Sequence, residues 1–150
     1  MIRRLGNVFV LDTSHTTYCF QVLESGHLEH LYYGKKIRIE CAADIESLAE
    51  KQAFPPGNSN VYDAKFPKLS LENLRLEMSS YGKSDIREPF VEVVHADGSY
   101  TSDFLYEGMK VSKEKASLET LPSAYEEDGK VREKLVYDYD ALQYIYDINS

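Results

Sequence analysis

At 150 residues, with 43% hydrophobic and 28% charged side chains, the chain is the size of one ordinary domain and can bury a real core. Its 25 acidic residues outnumber 17 basic ones, for a net charge of −8. That field repels phosphate backbones, and no Lys/Arg cluster makes a local exception, so no nucleic-acid partner is expected. No stretch approaches the roughly 20 apolar residues of a membrane span, and Arg3-Arg4 is followed by no apolar signal region, so no membrane partner is expected and the default location is cytoplasmic.

The first 41 residues read as an antiparallel meander. Val8 to Asp12 is a short apolar run. Thr16 to Val22 alternates, with Tyr18, Phe20 and Val22 on one face and Thr17, Cys19 and Gln21 on the other. Ser25-Gly26 signals a turn, Leu28 to Tyr33 alternates again, and Gly34-Lys35 breaks the run. Lys36 to Cys41 then places Ile37, Ile39 and Cys41 on one side. Period-two alternation with turn residues every eight to ten positions predicts a half-buried antiparallel sheet. Cys19 and Cys41 fit buried free thiols better than a disulfide framework, with a single bridge left open.

Ala43 to Gln52 carries Ile45, Leu48 and Ala49 at helical spacing and predicts one short helix, which Pro55-Pro56-Gly57 stops. From there to Pro89 periodic signals are few. About thirty irregular residues inside one domain is uncommon and marks a functional loop, a linker or a missed element. Tyr62, Phe66, Leu69, Leu71, Leu74, Leu76 and Tyr81 argue against disorder, so the segment reads as an ordered excursion packed on another part of the protein or on a partner.

Phe90 to Ala96 and Tyr100 to Tyr106 flank Asp97-Gly98, a strong hairpin signal. Met109 to Ser112 reads as a short strand, Leu121-Pro122 as a loop and Glu126 to Lys130 as a polar break. Val131 to Ile148 gives two alternating segments split near Asp140-Ala141. The fold class expected is all-β, an antiparallel β-sandwich with one short helix.

No motif makes a self-sufficient active site. His15, His27, His30 and His95 show no paired ligand spacing, and His27 and His30 would face opposite sides of a strand, so no metal site is expected. There is no phosphate-cradling glycine loop and no Gly-x-Ser-x-Gly. Glu126, Glu127, Asp128, Asp138, Asp140 and Asp147 crowd the final third. Two could form a glycosidase pair, although a solvated turn and an exposed strand face account for them. Twelve tyrosines without a tryptophan fit β-propensity, with sugar stacking as the alternative. The densest cluster is Ser79 to Pro89, where Asp85 and Arg87 can contact sugar hydroxyls or pair with each other to tie down the loop.

Tyr81-Gly82-Lys83-Ser84-Asp85-Ile86-Arg87-Glu88-Pro89 resembles the Ser-Tyr-Gly-Thr-Gly-Asp-Phe-Arg-x-Pro signature near the start of bacterial α-galactosidases of glycoside hydrolase family 36. Gly26-His27-Leu28-Glu29-His30-Leu31-Tyr32-Tyr33-Gly34 is similar to that family's early Gly-x-Leu-x-x-Leu-Tyr-x-Gly hairpin, and Leu118 to Tyr125 follows in order. The likeness covers roughly residues 5 to 130, fades beyond Val131, and departs at Lys83-Ser84, where the family has Thr-Gly. It implies the N-terminal part of a β-supersandwich of galactose-mutarotase type, continued in the parent by a (β/α)₈ barrel carrying two catalytic aspartates absent here.

The implied activity is retaining hydrolysis of terminal α-galactosides of the melibiose and raffinose type, without a cofactor, by a tetramer. The chain alone is read as non-catalytic, contributing to oligomerisation and to the active-site entrance. Asp63, Tyr81, Asp85 and Arg87 are the residues implied at that entrance or at the subunit interface. Two rival readings are a free-standing carbohydrate-binding or interaction module and a small glycosidase using its own carboxylates.

Overall fold

The computed structural model describes residues 1–51, 60–109, 132–139 and 142–149. Among the described residues six strands form in chain order, β1 (Ile2–Leu5), β2 (Val8–Asp12), β3 (Thr16–Val22), β4 (Leu28–Lys35), β5 (Arg132–Tyr139) and β6 (Leu142–Asn149). The first four make an antiparallel sheet in the order β1-β2-β3-β4, and β5 pairs with β6 in a second antiparallel sheet. The one α-helix among the described residues, α1 (Ala43–Glu46), and a single 3₁₀ turn over Leu71–Asn73 complete it. The all-β class with one short helix therefore holds.

β2 explains the meander. Its five residues are all buried because the sheet is covered on both faces. On one face Val8, Val10, Cys19, Leu31, Ile39 and Ile45 pack together; on the other Phe9, Leu11, Phe20 and Leu28 do. Phe9 and Phe20 stack with centroids 5.0 Å apart. The sheet is thus not half-buried as the alternation predicts. The missing cover for the second face comes from Met78 of the long excursion and from Tyr106 and Met109 beyond the Asp97-Gly98 turn, which alternation within a strand cannot reveal. Asp12, buried at the end of β2, accepts hydrogen bonds from Arg3 Nη2 at 2.8 Å and Thr17 Oγ1 at 2.6 Å, so its charge is matched.

The turns follow their residues. β1 and β2 join through Gly6-Asn7, with Gly6 at φ +65°, a conformation that suits the first central position of a two-residue hairpin. A bulge interrupts the β3–β4 register between Cys19 and Phe20, so Leu31 and Tyr32 both pack on the first face.

Three expected elements change form. Lys36 to Cys41 is not a strand: Ile37 donates its N–H to the Thr17 hydroxyl at 3.1 Å, which replaces a ladder bond. Ile37 and Ile39 still face the core, while Cys41 is exposed and is not the buried thiol expected. The helix is a single turn, continued only by i→i+3 bonds to Leu48 and Ala49. Around Asp97-Gly98 the turn forms, with Gly98 N–H donating to His95 O and His95 N–H to Ser99 O, both at 2.9 Å, but no strands flank it. The second arm instead donates Ser102 N–H to Tyr81 O at 2.9 Å and Tyr106 N–H to Gly26 O at 2.8 Å.

The excursion, described from residue 60 to Pro89, is laced to β4. His30 N–H donates to Arg75 O at 2.6 Å and Glu77 N–H to Leu28 O at 2.9 Å. Past Met109, the strand expected at Met109–Ser112, the Leu121-Pro122 loop and the Glu126–Lys130 break lie outside the described residues. So do the breaks at Pro55–Gly57 and Asp140-Ala141. The two alternating segments around the latter form the β5–β6 hairpin.

Candidate functional site

The turn from Gly82 to Asp85 is built on three successive left-handed residues: Gly82 at φ +104°, Lys83 at +54° and Ser84 at +66°. Asp85 N–H closes it onto Gly82 O at 3.0 Å. Positive φ at both central residues is the mirror-image turn that favours glycine and asparagine, so the Lys83-Ser84 pair holds a conformation that costs about 1–2 kcal/mol per residue. Gly82 itself is required: a Cβ there would lie 2.6 Å from Thr101 Cγ2.

Asp85 and Arg87 do pair with each other. Arg87 Nε donates to Asp85 Oδ1 at 2.8 Å and Nη2 to Oδ2 at 3.0 Å, a bidentate fork on a carboxylate that is 0% exposed. The same guanidinium donates to Leu71 O at 2.7 Å and to Leu74 O. Arg87 therefore ties the signature turn to the 3₁₀ segment, and four of its five N–H donors are used in doing so. Tyr81 is different: its ring is 56% exposed. Asp63 belongs to its own turn, where Oδ1 accepts Lys65 N–H at 2.8 Å, and is not brought against Asp85 or Arg87. The structure thus joins two of the four sequence-derived site residues, leaves Tyr81 open and sets Asp63 apart.

A second constellation was hidden from the sequence because its members lie 76 positions apart. Ser25 Oγ lies 2.9 Å from His27 Nδ1, His27 Nε2 lies 3.1 Å from Asp103 Oδ1, and Tyr62 OH donates to Asp103 Oδ2 at 2.7 Å. The residue types match a Ser-His-Asp triad. His27 is only 2% exposed and both of its ring nitrogens are engaged within the network, which ties loop to sheet. His27 is therefore not on a strand face opposite His30: it precedes β4 and is buried. Burial pushes the Asp103 carboxyl up in pKa, but hydrogen bonds from His27 and Tyr62 and the charges of His27 and Lys83 outweigh it and hold it below the ordinary 3.8. His30 is engaged separately, 2.7 Å from Glu77.

Two concavities adjoin these groups. A cleft of about 460 Å³ lies between the end of β3, the start of β4 and the 65–69 turn, with Glu29, Phe66, Leu69 and Leu74 among its walls. The Glu29 carboxylate there is already taken by Gln21 Nε2 at 2.5 Å and Glu50 N–H at 2.6 Å. A smaller cavity of about 250 Å³ is lined by Tyr81, Glu92, Val93 and Tyr100. Sequence reasoning missed Glu92 and Tyr100, because only the turn at Asp97-Gly98 and the close approach at Gly82 bring them beside Tyr81. Among the described residues no group of three or more His, Cys, Asp or Glu side chains is arranged to hold a metal ion, and no helix is long and apolar enough to cross a membrane.

The family model for the glycosyl hydrolase family 36 N-terminal domain matches residues 26–144. The match starts later than the likeness read from the sequence and runs past Val131, where that likeness fades. Alpha-galactosidase AgaA from Geobacillus stearothermophilus is 33% identical over 127 residues, spanning 85% of this chain and 17% of that protein. The crystal structure of the α-galactosidase from Lactobacillus brevis superposes with a TM-score of 0.74 at 25% identity, over 97% of this chain and 20% of its own. A variant of AgaA in complex with raffinose superposes with a TM-score of 0.69 at 28% identity, over 93% of this chain and 20% of its own. The chain therefore spans about a fifth of the length of these relatives. Its sequence, its antiparallel architecture and the ordered signature turn agree, and the chain belongs to the glycosyl hydrolase family 36 N-terminal domain family.

Proposed function

We propose that this chain is the N-terminal, non-catalytic β-sandwich region of an α-galactosidase that hydrolyses terminal α-D-galactosides of the melibiose and raffinose type. Its 150 residues would form the first portion of a larger β-supersandwich domain. The observation that carries this reading is the family match over 26–144 in a chain that spans only about a fifth of enzymes of that activity. In the parent, the excursion contributes to subunit assembly and to the mouth of the active site, with Asp63, Tyr81, Asp85 and Arg87 on the segment concerned. Supporting this is the exposure of Ile86 and Val94, at 84% and 62%, along a stretch where Asp85 is the one buried residue, since solvent-facing apolar side chains mark surfaces that another part covers. Asp85 and Arg87 act there by holding the turn and Tyr81 by facing outward.

The test is hydrolysis of an aryl α-D-galactopyranoside by two polypeptides, this chain and one extended to the length of its relatives. The extended protein is expected to turn over and to form oligomers, the short chain to be silent. Turnover by the 150-residue chain would overturn the reading in favour of a glycosidase using its own carboxylates.

A further inference from the structure

We infer that Tyr81, Tyr100 and Glu92 form a cradle for a single pyranose ring on this chain itself. The cavity they line with Val93 is about 250 Å³, below the roughly 300–1,000 Å³ of sites for drug-sized ligands, so it accommodates a ligand of one ring. Tyr81 is 56% and Tyr100 54% exposed, large apolar rings left facing water on two different arms of the loop. Among the described residues, neither phenol nor the Glu92 carboxylate is taken up by another side chain.

These groups suit a sugar. A pyranose presents a patch of C–H bonds on one face, which an aromatic ring covers, and hydroxyls at its edge. A carboxylate accepts two neighbouring hydroxyls at once, and a phenol both donates and accepts. Val93, half-buried, adds an apolar wall.

The cradle is also held in shape before anything binds. Tyr81 O accepts Ser102 N–H at 2.9 Å, two residues beyond Tyr100. His95 Nε2 lies 2.9 Å from Thr101 O and 3.3 Å from the Ser102 hydroxyl, bracing the arm that carries Tyr100. The glycine at position 82 lets Thr101 approach without a Cβ in the way. Preorganisation of this kind lowers the ordering cost of binding.

The cradle does not depend on the parent enzyme; only the choice of galactoside as first probe rests on the function proposed above. The experiment is titration of the isotope-labelled 150-residue chain with methyl α-D-galactopyranoside and, in parallel, methyl α-D-glucopyranoside, followed by backbone and tyrosine-ring NMR shifts. Saturable shifts at residues 81, 92, 93 and 100 are expected, with a Kd on the order of 1–10 mM. Y81A and Y100A should each weaken binding at least tenfold, and E92Q, which keeps the shape of the side chain, several-fold. Preserved shift dispersion elsewhere shows that each variant is folded. The inference is overturned if neither sugar saturates, if both tyrosine variants bind as well as the parent chain, or if glycerol at equal concentration gives the same shifts. Binding of the glucoside alone supports the cradle and counts against the galactoside reading.

Discussion

Ser84 sits at φ +66°, next to Lys83 at +54°, where the related signature has Thr-Gly. Glycine adopts that conformation without the clash between Cβ and the following carbonyl. Ser84→Gly is therefore expected to stabilise the chain by about 1 kcal/mol, partly offset by the greater freedom of glycine in the unfolded state. The midpoint of urea unfolding reports it, and an unchanged or lowered midpoint would show that the turn is not strained. Arg87 is a different case. Its removal strands a carboxylate that is 0% exposed and frees the Leu71 and Leu74 carbonyls. Arg87→Ala should cost about 2–3 kcal/mol, less than a fully buried pair because the guanidinium is one-third exposed. Arg87→Lys should recover only part of this, since an ammonium cannot make the two-pronged contact; full recovery by lysine would refute the bidentate account.

At the scale of elements, the sheet is defined by what lies on its two faces. Cys19 is on β3 inside the first cluster, whereas Cys41 follows the irregular Lys36–Glu40 run and is exposed. Burial, with the nearby Asp12 and Glu77 charges, pushes the Cys19 thiol up to about 11. Thiolate is the reacting form, so iodoacetamide at pH 8 should modify Cys41 in the native protein and Cys19 only after denaturant is added. Mass spectrometry of tryptic peptides distinguishes the two; equal labelling rates would contradict the buried placement of β3. Strands β2, β3 and β4 were legible from alternation and turn residues. β1 was not, because Ile2-Arg3-Arg4-Leu5 is too short and too charged to alternate. The hairpin arms around Asp97-Gly98 were misread because a turn signal says where the chain reverses, not which neighbours the arms will choose.

Across the whole molecule, Asp103, on the second arm of the Asp97-Gly98 turn, links that arm to the β3–β4 turn through His27 and to the excursion through Tyr62. Its folded pKa is held below the ordinary 3.8. A depressed carboxylate contributes stability that is present above the unfolded value, near pH 4, and is lost as pH falls through the lower folded value. Urea midpoints measured from pH 5 to 2 should fall across this window. In Asp103→Asn the pH 5 midpoint should be lower and the decline flatter, and an equally steep decline would assign the acid lability to other carboxylates.

The sequence by itself determined the all-β class, the order and faces of the central strands and the family, because each of these is written in local periodicity or in contiguous motifs such as Tyr81 to Pro89. It also supplied the Asp85–Arg87 pair, whose members lie two residues apart. Only the tertiary structure decided that both sheet faces are covered, that His27 meets Asp103 and Tyr62, and that Tyr81, Glu92 and Tyr100 share one cavity. Those contacts join segments distant along the chain, brought together by backbone hydrogen bonds between loops and by the absence of a Cβ at Gly82, and neither leaves a periodic trace in the residues themselves.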